Sequence, residues 1–166
     1  SKEEMINQAL RLHSQGKIPE AAKYYQDFIA KGIIDYRVFI NYGEILQDIG
    51  KLKEAELSTR LAIQLRPDFE TFHLKLGNIF KGLGKFKEAE KSYKKAIKLK
   101  PNYPEAYLNL GTIFKSLDKL KDAEVSTRKS IELNPDYSQA HFNLGNILKD
   151  LGKLKEAEIS LRKAIK

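Results

Sequence analysis

The sequence predicts an all-α solenoid of five stacked helix–turn–helix modules, and three observations predict it. The first is a period. Pro67, Pro101 and Pro135 stand 34 residues apart, as do Gly43, Gly77, Gly111 and Gly145, then Ala55, Ala89, Ala123 and Ala157, then Ile63, Ile97, Ile131 and Ile165. Four columns sharing one interval mark the repetition of a single structural unit. The second is helical spacing within the unit: Tyr107, Leu108, Leu110, Gly111, Phe114 and Leu117 recur at three- and four-residue steps. The third is punctuation, with Gly16, Gly50, Gly84 and Gly152 between the two helices of a module and a proline after the second. A unit this small cannot bury its own apolar face, so the core should run as a strip along the stack.

The modules fall at about 2–35, 36–69, 70–103, 104–137 and 138–166, the last incomplete, and form one array over 1–166. Residues 104–137 serve as the template. Pro104 suits a first helical turn, where its missing N–H has no carbonyl to lose. Asp118 stands in the glycine column, a turn that favours left-handed backbone. A second helix is predicted over Leu120–Leu133, with Leu120, Ala123, Thr127, Ser130 and Ile131 inward and Lys121, Asp122, Glu124, Arg128 and Lys129 on a solvated outer face. Asn134 and Pro135 end it. Gly111 and Ala123 would let the two helices cross closely.

The ends differ from the middle. The first module keeps Ala9, Gly16, Ala21, Tyr25 and Ile29 but has Gly32-Ile33-Ile34 where the others have a proline-bearing turn. The final helix offers Ala157, Leu161, Ala164 and Ile165 to no following helix. Either the array continues beyond it, or this open end docks on another copy, which would be self-association.

Leu110-Gly111, Phe114, Ala123, Ser130 and Pro135, in a 34-residue unit, resemble the tetratricopeptide repeat signature. The aromatic expected early in the first helix is matched by Phe39 and Tyr107, while the same column holds Met5, His73 and His141. The resemblance covers essentially the whole chain. It implies a right-handed superhelix whose first helices line a concave groove and whose second helices form the convex side.

The composition narrows the chemistry. The chain has 166 residues, no cysteine and a net charge of +8, which excludes disulfides and thiolate ligands. Residues 70–103 alone hold nine basic and three acidic side chains, a block rather than the continuous basic stripe of a nucleic-acid binder. No apolar run approaches the ~20 residues of a membrane span, so the expectation is a soluble, cytoplasmic protein. His73 and His141 share a packing column, and His13 stands alone. Without a phosphate loop, nucleophile elbow or carboxylate cluster, neither an enzyme nor a bound metal or cofactor is expected.

What remains is the groove. First-helix positions left over by packing form three rows: Asn7, Asn41, Lys75, Asn109 and Asn143; Leu10, Glu44, Asn78, Thr112 and Asn146; His13, Gln47, Lys81, Lys115 and Lys149. Asparagine amides can bond an extended peptide backbone whatever its sequence, and lysines would attract acidic side chains. Asn41, Lys75, Asn78, Lys81, Asn109, Thr112, Lys115, Asn143, Asn146 and Lys149 are therefore the candidate peptide contacts. The other reading of the asparagine column is structural, a bridge between adjacent repeats. The row is similar to the asparagine ladder in the repeat arm of O-GlcNAc transferases, interrupted here by Lys75. The apolar column Ile6, Ile40, Leu74, Leu108 and Phe142 leaves no place for the basic residue with which family members clamp chaperone tails. The expected function is a protein-interaction scaffold for an extended, acidic or mixed-polarity segment. Two alternatives stand beside it: nucleic-acid binding through Lys91, Lys94, Lys95 and Lys98, and an architectural arm of a larger enzyme.

Overall fold

In the computed structural model, which describes all residues from Ser1 to Lys166, ten α-helices follow one another with no strand between them. They form five antiparallel pairs: α1 (Lys2–Ser14) with α2 (Ile18–Ala30), α3 (Tyr36–Asp48) with α4 (Leu52–Leu65), α5 (Glu70–Gly82) with α6 (Phe86–Leu99), α7 (Pro104–Ser116) with α8 (Leu120–Leu133), and α9 (Ser138–Asp150) with α10 (Leu154–Ala164). From the second pair on, each first helix lies against the second helix of the pair before it. The first helices α3, α5, α7 and α9 also touch in succession.

One turn, used five times, joins the helices of each pair. The backbone N–H of Lys17, Lys51, Lys85, Lys119 and Lys153 donates to the carbonyl of Leu12, Leu46, Phe80, Phe114 and Leu148 at 2.8–2.9 Å. This closes a Schellman motif, whose preceding residue must be left-handed. Glycine holds that place at 16, 50, 84 and 152, and Asp118 holds it at φ 58°, the only non-glycine residue of the chain with positive φ. The same lysines then open the second helices without a side-chain cap. Gly32, at φ 73°, closes α2 in the same manner, with Ile33 N–H on Phe28 O at 2.9 Å, so the first module needs no proline there.

The close approach of paired helices is localised at the first-helix glycine. A Cβ on Gly77 would lie 2.6 Å from Cδ1 of Tyr93; on Gly111 it would run into Thr127 Oγ1 and sit 3.3 Å from the Ala123 carbonyl oxygen. The partner of Gly111 is therefore Thr127 and the backbone of Ala123 rather than the alanine methyl. His73 and His141 each place Nε2 on the carbonyl of the preceding turn's proline, Pro67 at 2.8 Å and Pro135 at 2.7 Å. Both rings tie a first helix to the loop that leads into it.

The core is segmented rather than uniform. The largest cluster runs from Leu74 in α5 to Ile147 in α9 and includes Phe80, Tyr93, Leu110, Ile113 and Phe114. A second joins Ile6, Ala9, Tyr25 and Phe28 to Val38 and Ile45. Half-buried side chains such as Ile63 and Tyr42 border two clusters each and carry packing across the gaps.

Two expectations require correction. In the last pair Ala157 is buried against Leu144 and Leu148, and Leu161 fills the space at Gly145. The uncovered apolar side chains there are Phe142, Leu154, Ile159 and Ile165. The outer face of the second helices is also not simply solvated. Glu124 has a side chain only 14% exposed and holds both Arg128, at 3.0 Å, and Lys153 of the next pair, at 3.2 Å. Glu56 does the same with Arg60 and Lys85, and Glu90 with Lys94 and Lys119 at 3.6 and 3.7 Å. Burial pushes the Glu56 and Glu124 carboxyls up, but hydrogen bonds from these cations outweigh it and hold both below the usual value. The cations also cover rings: Arg60 and Lys85 lie over Phe80, and Lys94 and Lys119 over Phe114.

Candidate functional site

All ten candidate groove residues lie on the successive first helices α3, α5, α7 and α9. Asn41, Lys75, Asn78, Lys81, Asn109, Thr112, Asn143 and Asn146 are half-buried, while Lys115 and Lys149 are exposed. Helical spacing explains the grouping, since residues three and four apart share a face.

Their polar atoms are partly committed to one another, always between a residue and the one 31 positions on. The Asn109 amide donates to Asn78 Oδ1 at 3.1 Å, Asn143 to Thr112 Oγ1 at 3.4 Å, and Lys75 Nζ to Glu44 at 2.8 Å. From the third module on, the first row thus reaches the second row of the module before. Asn78 Oδ1 also accepts from the Tyr93 hydroxyl at 2.6 Å, a contact from the second helix that the first-helix rows do not suggest. Asn41 donates to the Arg37 carbonyl at 2.7 Å within its own helix.

This stitching leaves a defined set of free groups. Asn109 and Asn143 keep their carbonyl oxygens, Asn78 keeps its NH₂ group, and Asn146 keeps its whole amide. Asn143, Asn146, Thr112, Lys115 and Ile147 enclose a recess of about 120 Å³ on the same face. The cations are less available than their number suggests. Lys75 is paired with Glu44, and Lys115 lies 3.6 Å from Asp150. Burial lowers the pKa of Lys81, opposed by the charge of Glu105. Lys149 makes no ion pair. At the N-terminal end Arg37 binds Glu3 through two hydrogen bonds, at 2.6 and 2.9 Å, and Asp35 through two more. These bonds hold the Asp35 carboxyl below the usual carboxylate range.

The remaining candidates have structural partners or stand apart. His13 places Nδ1 3.2 Å from the Tyr25 hydroxyl, and no three His, Asp or Glu side chains come together as a metal site. Lys91, Lys94, Lys95 and Lys98 are exposed on α6, where Lys94 pairs with Glu90. No helix is long and apolar enough to cross a membrane. Sequence reasoning missed the lysine column 17, 51, 85, 119 and 153, whose members from Lys85 on bridge to the preceding pair. Its signal was present, since lysine recurs there at the same interval as the glycines.

Ten paired helices, a recurring Schellman turn and a glycine-mediated crossing define a tetratricopeptide solenoid. Models described as tetratricopeptide repeat match residues 36–69, 104–137 and 127–159, and one described as TPR repeat matches 77–118; the chain belongs to this family. Among solved structures, MamA 41-end from Desulfovibrio magneticus RS-1 superposes with a TM-score of 0.89 at 20% identity, covering 98% of this chain and 92% of that one. YrrB, described as a TPR protein with an unusual peptide-binding site, gives 0.83 at 22% identity, covering 97% and 83%. PilF of Pseudomonas aeruginosa gives 0.84 at 16%, covering 98% and 74%. At these identities the likeness establishes the fold. No curated protein sequence matches the chain.

Proposed function

We propose that the chain is a protein-interaction scaffold that holds an extended peptide segment along Asn41, Lys75, Asn78, Lys81, Asn109, Thr112, Lys115, Asn143, Asn146 and Lys149. The observation that carries this reading is the division of labour within the amides. One half of Asn78, Asn109 and Asn143 is spent between repeats, which fixes the rotamers, and the other half faces outward unpaired. Side chains already immobilised lose little entropy on binding, so their hydrogen bonds to a ligand backbone are realised at low cost. The peptide-binding description of YrrB, a protein of the same fold, is consistent with this use.

The charge pattern refines the ligand. With Lys75 and Lys115 already paired, the groove suits a segment of mixed polarity better than a uniformly acidic one. Its affinity should be micromolar, about −8 kcal/mol, because ordering a flexible peptide opposes binding. The test is selection from a displayed library of random peptides, followed by titration of a recovered peptide against the Asn109→Ala/Asn143→Ala double variant. Affinity should fall at least tenfold with the helical signal intact; unchanged affinity would remove the groove from the binding site.

A further inference from the structure

Each junction between successive pairs leaves a furrow on the convex side, walled by two second helices and floored by the first helix between them. Three of the four furrows are bridged by charge. Glu56, Glu90 and Glu124 each hold a cation four residues on and a lysine 29 residues on, from the next pair. At the second and third junctions these cations lie over Phe80 and Phe114. At the first junction, between α2 and α4 over α3, the same columns read Ala22 for the glutamate, Gln26 for the cation and Leu46 for the ring. Only Lys51 of the bridge remains there, without an ion pair. Gln26 turns instead to the Tyr42 hydroxyl at 3.0 Å.

The walls change with the bridge. Leu57 and Leu61 of α4 stand where α6 has Lys91 and Lys95, and where α8 and α10 have Lys129 and Lys163 at the second place. Leu57 is 64% exposed, and Ile29 on the α2 wall 37%. With Phe39, Tyr42 and Leu46 on the floor they enclose an open cleft of about 220 Å³. Its polar lining is Glu54 and Ser58, and the Ser58 hydroxyl is spent on the Phe39 carbonyl at 2.6 Å. The corresponding space at the fourth junction is lined by Arg128, Glu132, Glu156 and Lys163 among its apolar side chains. An apolar lining beside an unmatched lysine therefore distinguishes the first.

Three features define the occupant. The cleft lies inside the array, so further repeats at either end would stack on α1 or on α9 and α10 and leave it open. It is also small. The floor from Phe39 to Leu46 is about 10 Å long at 1.5 Å per residue, far short of the ~800 Å² that each partner buries in a stable dimer. Last, a positive charge without its carboxylate stands at one end of apolar surface, which calls for an acid in the ligand.

We propose that this cleft takes a short linear segment of a partner protein, with a leucine or aromatic side chain between Ile29 and Leu57 and a carboxylate on Lys51. The segment supplies what Ala22 and Gln26 omit: an acid in the place of the glutamate, and a cover for the floor. Where the bridge is intact, Lys85 Nζ lies 3.1 Å from Glu56 and 5.9 Å from the centre of the Phe80 ring. The ligand acid accordingly belongs about two or three residues from the inserted side chain, at ~3.4 Å per residue. Glu54 on the α4 rim repels an acid placed on that side. The cleft shares no residue with the concave rows.

The test restores the bridge. Ala22→Glu/Gln26→Arg installs residues that this fold already carries at the other junctions, and so closes the cleft in a folded chain. Random heptapeptides displayed on phage are selected on the native chain and counter-selected on that variant. The recovered peptides should share an apolar residue with an acid two or three positions away. By fluorescence anisotropy a recovered peptide should lose at least tenfold in affinity on the double variant and about tenfold on Leu57→Lys, which puts at 57 the residue that α6 has there. Lys51→Ala should cost about threefold, as should changing the peptide's acid to its amide, and the two losses should not add. A peptide whose binding depends on Asn109 and Asn143 should not compete with it. The proposal is overturned if selection recovers no peptide that tells the native chain from the double variant, if the two charge losses add, or if the groove peptide competes. Sedimentation as a dimer that Leu57→Lys dissociates would likewise overturn it, by assigning the cleft to a second copy.

Discussion

Asp118 holds a left-handed backbone at φ 58° where every other module has glycine. Its Cβ costs roughly 1 kcal/mol in that conformation. Asp118→Gly should therefore raise stability by about 0.5–1 kcal/mol, read as a higher urea midpoint at unchanged slope. Gly111→Ala should do the reverse by about 1–3 kcal/mol, because the new methyl meets Thr127 Oγ1 and the backbone of Ala123 and Thr127, and that backbone cannot give way without moving a helix. Asp118 was legible in the sequence from its column; the contact of Gly111 with Thr127 was not, because a period says which residues are equivalent and not which ones meet. The pH limits are also set by single residues. Burial pushes the Tyr25 and Tyr103 hydroxyls up to about 12 from an ordinary 10. The unfolded chain loses those protons first, so this stability is complete below pH 10 and is lost as pH rises toward 12. Glu56 and Glu124 lie below their ordinary 4.5, so their contribution is present above pH 4.5 and is lost as pH falls through the lowered value. A thermal midpoint measured against pH should form a plateau between those limits, and Tyr25→Phe should flatten its alkaline edge.

Among the elements, the second helices depend most on neighbours. Each begins at a lysine that makes no capping bond, so α4, α6, α8 and α10 receive little help from their own N-termini. Tertiary contact compensates: α6 and α8 have first helices packed on both sides, whereas α10 packs on α9 alone and otherwise meets α8 through the exposed Arg128–Glu156 ion pair at 2.9 Å. Amide hydrogen exchange should consequently be fastest in α10 and slowest in α5 to α8, separated by orders of magnitude in protection. Helix positions could be read from apolar spacing and turn residues, as for Leu120–Leu133. The ion pairs joining Lys153 to Glu124 could not, since the residues are 29 apart and only the turn geometry makes them adjacent. The same holds for Asn109 with Asn78: the sequence supplied both the ligand reading and the bridging reading of that column, and the structure shows the bridge, from the Asn109 amide to Asn78 Oδ1.

At the scale of the whole molecule, stability is close to a sum over pairs and the interfaces between them. The pairs are unequally covered, since the first carries exposed Glu4, Gln8, Arg11 and Gln15 on α1 and the last leaves Phe142, Leu154 and Ile165 exposed. Unfolding should therefore proceed from the C-terminal pair, and a guanidinium titration followed by a probe in α10 should show a lower midpoint than one in α5. Exposed apolar area at one end and polar area at the other also gives the stack a direction, which the net charge of +8 does not reveal.

The glutamate and lysine that link successive pairs on the convex side also bear on how such a chain changes length. Removing residues 70–103 as a block would bring Lys119 to Glu56 and Phe114 beneath Arg60, restoring the outer contacts with different atoms of the same kind. On the concave side the same deletion would set Asn109 against Glu44, and in the core between pairs it would put Ala106 where Phe72 now fills the space beside Phe39. The outer surface is thus common currency, tolerant of duplication and loss, while each inner surface belongs to its place in the series. A lineage that gained or lost repeats here would keep its architecture and rewrite its recognition surface.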